Sequence, residues 1–294
     1  MVIIIQEDQY REVVLKSLVK IELKKCLKRK EFIFILLLMI IAITSDFVLT
    51  CMRFYGCKTS QLLSAYEATI ITNIIQTPFY PVFATLLPFT VSIIGSDIYI
   101  SEKINGIEDV VNTRISKKYN IISKAIAISI ISFFIVLIPL LINQLLSLVA
   151  FPIQGHNSFG LSEYKKLIYI DKGIMLSQVQ VYYPYLNNII FIIIRSIFAV
   201  SFTLMAYGIS FIPNINKYLV ILSSFIINSL LTFVLTIISC IVRSINQSLS
   251  EAIATDILGV NGYGNIYVLF GILILYLFIG IFFINREIKT NTEV

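Results

Sequence analysis

The sequence predicts an all-α fold: a polytopic membrane helix bundle with six transmembrane helices, an N-terminal amphipathic elbow helix and both termini in the cytoplasm. Three observations predict it. Hydrophobic residues make up 57% of the 294 residues and charged ones only 14%, against about a quarter charged in a soluble globular protein. The apolar residues fall in blocks of about twenty, the helix length that crosses a hydrocarbon core of roughly 30 Å. Those blocks are apolar on every side rather than alternating, which selects helices over barrel strands as the way to satisfy the backbone in lipid.

The chain reads as one transmembrane domain over 1–294. Residues 7–30 form the expected elbow helix. Val14, Leu15, Leu18, Val19, Ile21 and Cys26 fall on one side at helical spacing, and Lys16, Lys20, Lys24 and Lys28 on the other. Arg11, Glu22 and Lys25 interrupt the apolar side. A basic amphipathic helix of this kind lies at a membrane surface. It serves as a topology anchor or, in the sharper reading, also docks a cytoplasmic partner.

The spans follow at about 32–51, 79–100, 125–151, 188–211, 218–242 and 266–284. Pro81 and Pro88 fall in the second and Pro139 in the third, where they serve packing or kinks. Orientation follows from Lys and Arg. With the N-terminus inside, sixteen basic residues fall in cytoplasmic segments and six in outer ones. The expected outer loops are 52–78, 152–187 and 243–265, the last with an interfacial or re-entrant helical element. Pro213-Asn214-Ile215-Asn216 makes a tight cytoplasmic hairpin. The net charge of +6 is explained by this topology and by anionic lipid, with no call on nucleic acid.

Chemistry is sparse. The four cysteines are scattered and His156 is the sole histidine, so neither Cys/His metal sites nor HExxH proteases are expected. Cys51 and Cys57 are near enough for a local disulfide, with free thiols as the default. Gly56-Cys57-Lys58-Thr59 lacks the glycine that precedes lysine in a Walker A loop. No GxSxG elbow exists. The chain is expected to be no enzyme. Within the spans, apart from Asp97 at the edge of the second, Arg195 and Asp46 are the charged residues. They are similarly deep from the outer side and form a candidate intramembrane pair or pathway element, although Arg195 also suits snorkelling to the outer interface. Asn143, Gln144 and Asn228 suit interhelical hydrogen bonds.

The segment from Asp97 to Lys124 is the most informative. Glu102 and Lys103 are too polar for hydrocarbon, Gly106 breaks the helix, and Ile107, Val110, Val111 and Ile115 form an apolar stripe that Glu108, Asp109 and Arg114 avoid. Such a stripe needs lipid headgroups or a partner protein to bury it. The segment resembles the corresponding loop of type-2 ATP-binding-cassette (ABC) exporter permeases at Asp97, Glu102, Gly106, the stretch 107–115, Ser116 and Lys124. As architecture the resemblance covers nearly the whole chain; as motif it covers this segment alone. It departs from the family pattern where many members carry Gly-Thr and Ser-Pro and this chain carries Gly106-Ile107 and Ile115-Ser116.

The resemblance implies a coupling loop and an elbow helix that receive a separate ABC ATPase subunit, with ATP and Mg bound there and no cofactor bound here. It also implies a second copy of this chain or a related permease. The expected function is export of an amphiphile (an antimicrobial peptide, lipid or hydrophobic drug) across a bacterial plasma membrane. A secondary transporter, or a non-transporting immunity or signalling subunit, are the alternatives.

Overall fold

A computed structural model describes residues 2–58, 61–72, 77–153, 175–213, 215–253 and 264–290. The side chains of 2–12 and of Asp97, Asp109, Asn112, Ser248, Glu251 and Ala252 lie outside that description, as do most of the expected outer loop 152–187, including His156, and the stretch 254–263. All regular structure among the described residues is helical: α1 Val2–Leu27, α2 Lys30–Arg53, α3 Phe79–Ile104, α4 Ile107–Asn112, α5 Lys117–Ala150, α6 Ser177–Tyr182, α7 Pro184–Ile209, α8 Lys217–Arg243, α9 Gln247–Ile253 and α10 Ile266–Thr290.

Six of these, α2, α3, α5, α7, α8 and α10, are long and apolar enough to cross a membrane, as in a multi-pass membrane protein. They match the six apolar blocks in order. The "basic end" below is the end where α2, α5 and α8 begin and α3, α7 and α10 finish; the other is the far end. Two boundaries shift with consequence. The helix α3 runs on to Ile104 and α5 starts at Lys117, so most of the expected loop 97–124 is helix and only residues 105–116 lie between the spans. At 34 residues, α5 is about 50 Å long, and its first turns project beyond a hydrocarbon core to meet α1.

The core centres on α7, which packs against α3, α5 and α10 and buries residues along its whole length. Helix α8 is mostly exposed and apolar (Phe233 63%, Leu230 59%), as a lipid-facing surface requires. The contact between α7 and α10 rests on a pair of glycines. A Cβ on Gly280 would come within 2.9 Å of the Leu204 carbonyl carbon, and one on Gly208 within 2.7 Å of the Gly280 carbonyl oxygen. Small residues here let the backbones touch, the usual basis of helix pairing in lipid. Tyr276 of α10 donates to Asn228 Oδ1 of α8 at 3.0 Å, so Asn228 is an interhelical partner as expected. Pro88 and Pro139 both lie inside helices that continue past them.

Two segments expected as plain structure differ. Residues 64–72, within the expected outer loop 52–78, fold into the bundle rather than lying outside it: Ala65, Ala68, Ile70 and Ile71 are at most 1% exposed. In α1, Val14, Leu15, Leu18 and Val19 are half-buried and Cys26 is buried, as expected. Ile21 is 50% exposed and Glu22 is buried instead. The helix as a whole has almost no apolar bias to one side, with the polar Glu22 and Lys25 interrupting the stripe.

Candidate functional site

The basic end gathers most of the residues that the sequence singles out. Helix α3 ends as Asn105 and Gly106 donate backbone N–H bonds to the Ser101 and Lys103 carbonyls. Gly106 then takes a φ of +65° with open space around it. The left-handed backbone, not crowding, is what calls for glycine there. That reversal launches α4, which returns to α5 through Ser116.

The short helix is held by its acid together with half of its apolar stripe. Glu108, expected off the apolar stripe, is buried, and its carboxylate lies 3.8 Å from Lys117 Nζ, which also holds Glu287 of α10 at 2.7 Å. Val111 and Ile115 are half-buried. Ile107 and Val110 point away from the bundle (43% and 61% exposed), and Ile104 just before them is 76% exposed. The expected stripe is therefore split, with one half packed and the other bare. Arg114 is exposed; Gly106 lies at the turn. The Asp97 side chain is outside the described residues.

A second ionic group ties this end to α1. Glu102 and Lys124, near opposite ends of the expected loop, form a buried ion pair at 2.5 Å between α3 and α5, with side chains 6% and 3% exposed. Lys25 of α1 approaches the same carboxylate at 3.8 Å while holding Glu22 at 2.8 Å. Arg29 donates to Ser101 Oγ at 3.5 Å. Opposite charges this dry must be matched, since an uncompensated one is costly. Lys16, Lys20, Lys24 and Lys28 are all exposed and take no part in this cluster.

Cys26 packs beside it, and burial pushes its thiol up to about 11. Only the thiolate is nucleophilic. We expect Cys26 to resist maleimide at neutral pH and its labelling rate to climb about tenfold per pH unit up to about pH 11; Cys57, which is exposed, marks complete reagent access. Labelling of Cys26 as fast as Cys57 at pH 7 would contradict the burial. All four cysteines are free, Cys51 and Cys57 included.

The far-end residues are arranged differently from expectation. Asp46 does not pair with Arg195; its carboxylate accepts a hydrogen bond from Thr77 Oγ1. Arg195 is the twelfth residue of α7, about 17 Å along the helix, and is 1% exposed. It does not snorkel. Its guanidinium lies over the Tyr80 ring at 5.6 Å, a cation–π contact. Equal depth in sequence does not put α2 and α7 side by side: α5 and α3 are the neighbours both share.

Above Arg195 sits the inserted segment. Ser64 and Glu67 cap each other in the S-x-x-E pattern, with Ser64 N and Oγ donating to Glu67 at 3.0 and 2.8 Å. Amide side chains of the spans then hold the turn. Asn143 accepts from Ile70 N at 3.0 Å and Gln144 donates to the Ala65 carbonyl at 3.4 Å. Asn188 Nδ2 donates to Gln144 Oε1 at 2.7 Å, Thr69 Oγ1 at 3.2 Å and the Tyr66 carbonyl at 3.3 Å. Asn143 thus bonds the insertion instead of another helix, whereas Gln144 does both. Burial pushes the Tyr66 hydroxyl up to about 12, so it stays protonated here at ordinary pH.

Compared with protein-family models, with curated proteins and with solved structures, the chain finds no match in any of the three.

Proposed function

We propose that this chain is the membrane-spanning permease subunit of an ATP-driven type-2 ABC exporter that moves an amphiphile out of the cell. The observation that carries the reading is the posture of α4. A helix of six residues is anchored by a buried acid while Ile104, Ile107 and Val110 are left bare beside it. The helix lies past the ends of the spans, on the turn made by Gly106, and its bare apolar side fits a groove on a soluble subunit.

In this reading the basic end and both termini are cytoplasmic, in a bacterial plasma membrane, and α1 is the elbow helix. The separate ATPase binds ATP and Mg. Its closure pushes α4, and the two ionic groups pass the push to α1, α3, α5 and α10, which rock the spans around a central path. The working unit contains a second copy or a related permease. The sparse charge in the spans favours an amphiphilic cargo over a strongly polar one.

The test is recovery of partners from native membranes under mild extraction, with mass spectrometry of what accompanies the tagged chain. An ABC ATPase is expected with the native chain. Val110→Asp, on an exposed position that leaves the bundle intact, reduces its recovery about tenfold or more, since a charge in a desolvated contact costs over 1.4 kcal/mol. Absence of any ATPase, or equal recovery with Val110→Asp, sinks the reading. A secondary transporter is the competing reading, favoured by the interior positions of Asp46 and Arg195. It requires gradient-driven transport in vesicles without ATP.

A further inference from the structure

We propose that the basic end of α10, together with the tip of α3, is a binding site for one anionic phospholipid of the adjacent leaflet. A cavity of about 350 Å³ lies there, walled by Tyr99, Phe211, Pro213 and Phe283 and bordered by Lys103 and Arg286. A second hollow of about 540 Å³ adjoins it on the outer face of α10, along Phe278, Ile281, Phe282 and Lys289. Arg286 and Thr290 line both, so the two form one trough.

The trough has the shape of an amphiphile. Phe278, Phe282 and Arg286 are four residues apart on one helix face, a strip about 12 Å long that is apolar toward the membrane interior and cationic at its end. Phe278 and Phe282 are 67% and 53% exposed, an open bed for an acyl chain. At the head, Lys103 is steadied by the Tyr99 ring, 5.7 Å from its ammonium. Arg286 offers the planar fork that matches a phosphate. Glu287 borders the cavity too, but its carboxylate is occupied by Lys117 at 2.7 Å. The cations that face the head of the trough are therefore Lys103 and Arg286. Basic hollows between helices at a membrane edge are suited to anionic headgroups. A free anion would find the same cations but no use for the aromatic strip, and the strip commits the site to a lipid. The inference stands apart from the permease reading and needs no ATPase.

The test uses the full chain, extracted in mild detergent and offered equal amounts of phosphatidylglycerol and phosphatidylcholine, with bound lipid read by native mass spectrometry. One phosphatidylglycerol is expected to stay bound. Lys103→Gln with Arg286→Gln weakens it about tenfold or more, each cation near the surface being worth about 1 kcal/mol. Phe282→Ser, which leaves every cation in place, weakens it as well. Lys20→Gln with Lys24→Gln on α1 removes the same charge elsewhere and leaves retention unchanged, as does millimolar inorganic phosphate. Retention by the Lys103/Arg286 variant equal to that of the native chain overturns the site. So does an equal loss in the α1 control, which would mean diffuse charge, or displacement by phosphate alone, which would mean a free-anion site.

Discussion

Lys124→Met lowers the thermal midpoint of the detergent-solubilised chain by about 5–10 °C, and adding Glu102→Leu restores most of it. The two side chains are 3% and 6% exposed and 2.5 Å apart. Removing the lysine leaves a carboxylate in a dry site, a loss of about 3–5 kcal/mol when one partner of a buried pair is deleted. For a chain of this size each kcal/mol moves the midpoint by about 2 °C. Lys25 does not take over, because it stands 3.8 Å from Glu102, is 44% exposed and already holds Glu22. The double replacement removes both charges and fills the space with apolar groups, which is near neutral for buried pairs. Midpoints are read from the loss of the monodisperse elution peak after heating. A Lys124→Met midpoint within a degree or two of native would mean that water or Lys25 already satisfies Glu102. If the double variant is as unstable as the single one, the role of Lys124 is packing.

That pair also shows how far the sequence reading reached. Glu102 and Lys124 stand out in the sequence as polar residues at the edges of successive apolar blocks, but nothing in their spacing says that they touch. Contact follows only once α3 and α5 are seen to be antiparallel and overlong, running to Ile104 and from Lys117. The six spans were legible because twenty apolar residues have few other fates in a lipid-bound chain. Long-range partnership was not, and the pairing of Asp46 with Arg195 fails for that reason: depth is a one-dimensional measure, and helix order around the bundle is not encoded in it. The stripe on α4 was legible, but its division was not, since Glu108 is drawn inward by Lys117, which Glu287 holds in place, and Glu287 is on a helix far away in sequence. The insertion 64–72 was missed although signals existed. Ser64 and Glu67 have capping-box spacing, and four amide residues (Asn143, Gln144, Asn187 and Asn188) sit toward the far ends of two spans where lipid offers them nothing.

Among those amides, Asn187 and Asn188 are neighbours of the same type and both fully buried, yet they should respond very differently to replacement. Asn188→Leu is expected to free the insertion and Asn187→Ala to leave it in place. Asn188 Nδ2 reaches Gln144, Thr69 and the Tyr66 carbonyl at 2.7, 3.2 and 3.3 Å. Its loss strands the buried Gln144 oxygen, at about 1–3 kcal/mol for such a group left unmade, while the Tyr66 carbonyl keeps the Thr69 hydroxyl at 3.0 Å. The amide of Asn187 reaches the insertion only through the Tyr66 hydroxyl at 3.4 Å, the long limit of such a bond. With the native cysteines replaced and Ile70→Cys as reporter, membrane-impermeant maleimide measures how often the segment lifts. Ile70 is 1% exposed, so the reporter is protected while the turn is seated. A loss of about 2 kcal/mol raises the open fraction about thirtyfold, and labelling accelerates by that factor in Asn188→Leu but less than about threefold in Asn187→Ala. Equal protection in both would show that Ile70 and Ile71, buried among apolar neighbours, suffice to hold the segment. Equal exposure in both would mean that the helix α7 itself has shifted. The expected split locates the hold on the insertion at the far end of α7, nearly six helical turns from the ionic cluster at the basic end. The two ends of the bundle are then fastened by different chemistry, neutral amides at one and buried charges at the other. Salt should loosen neither much, since both are dry, but removing a single amide should release only the far end.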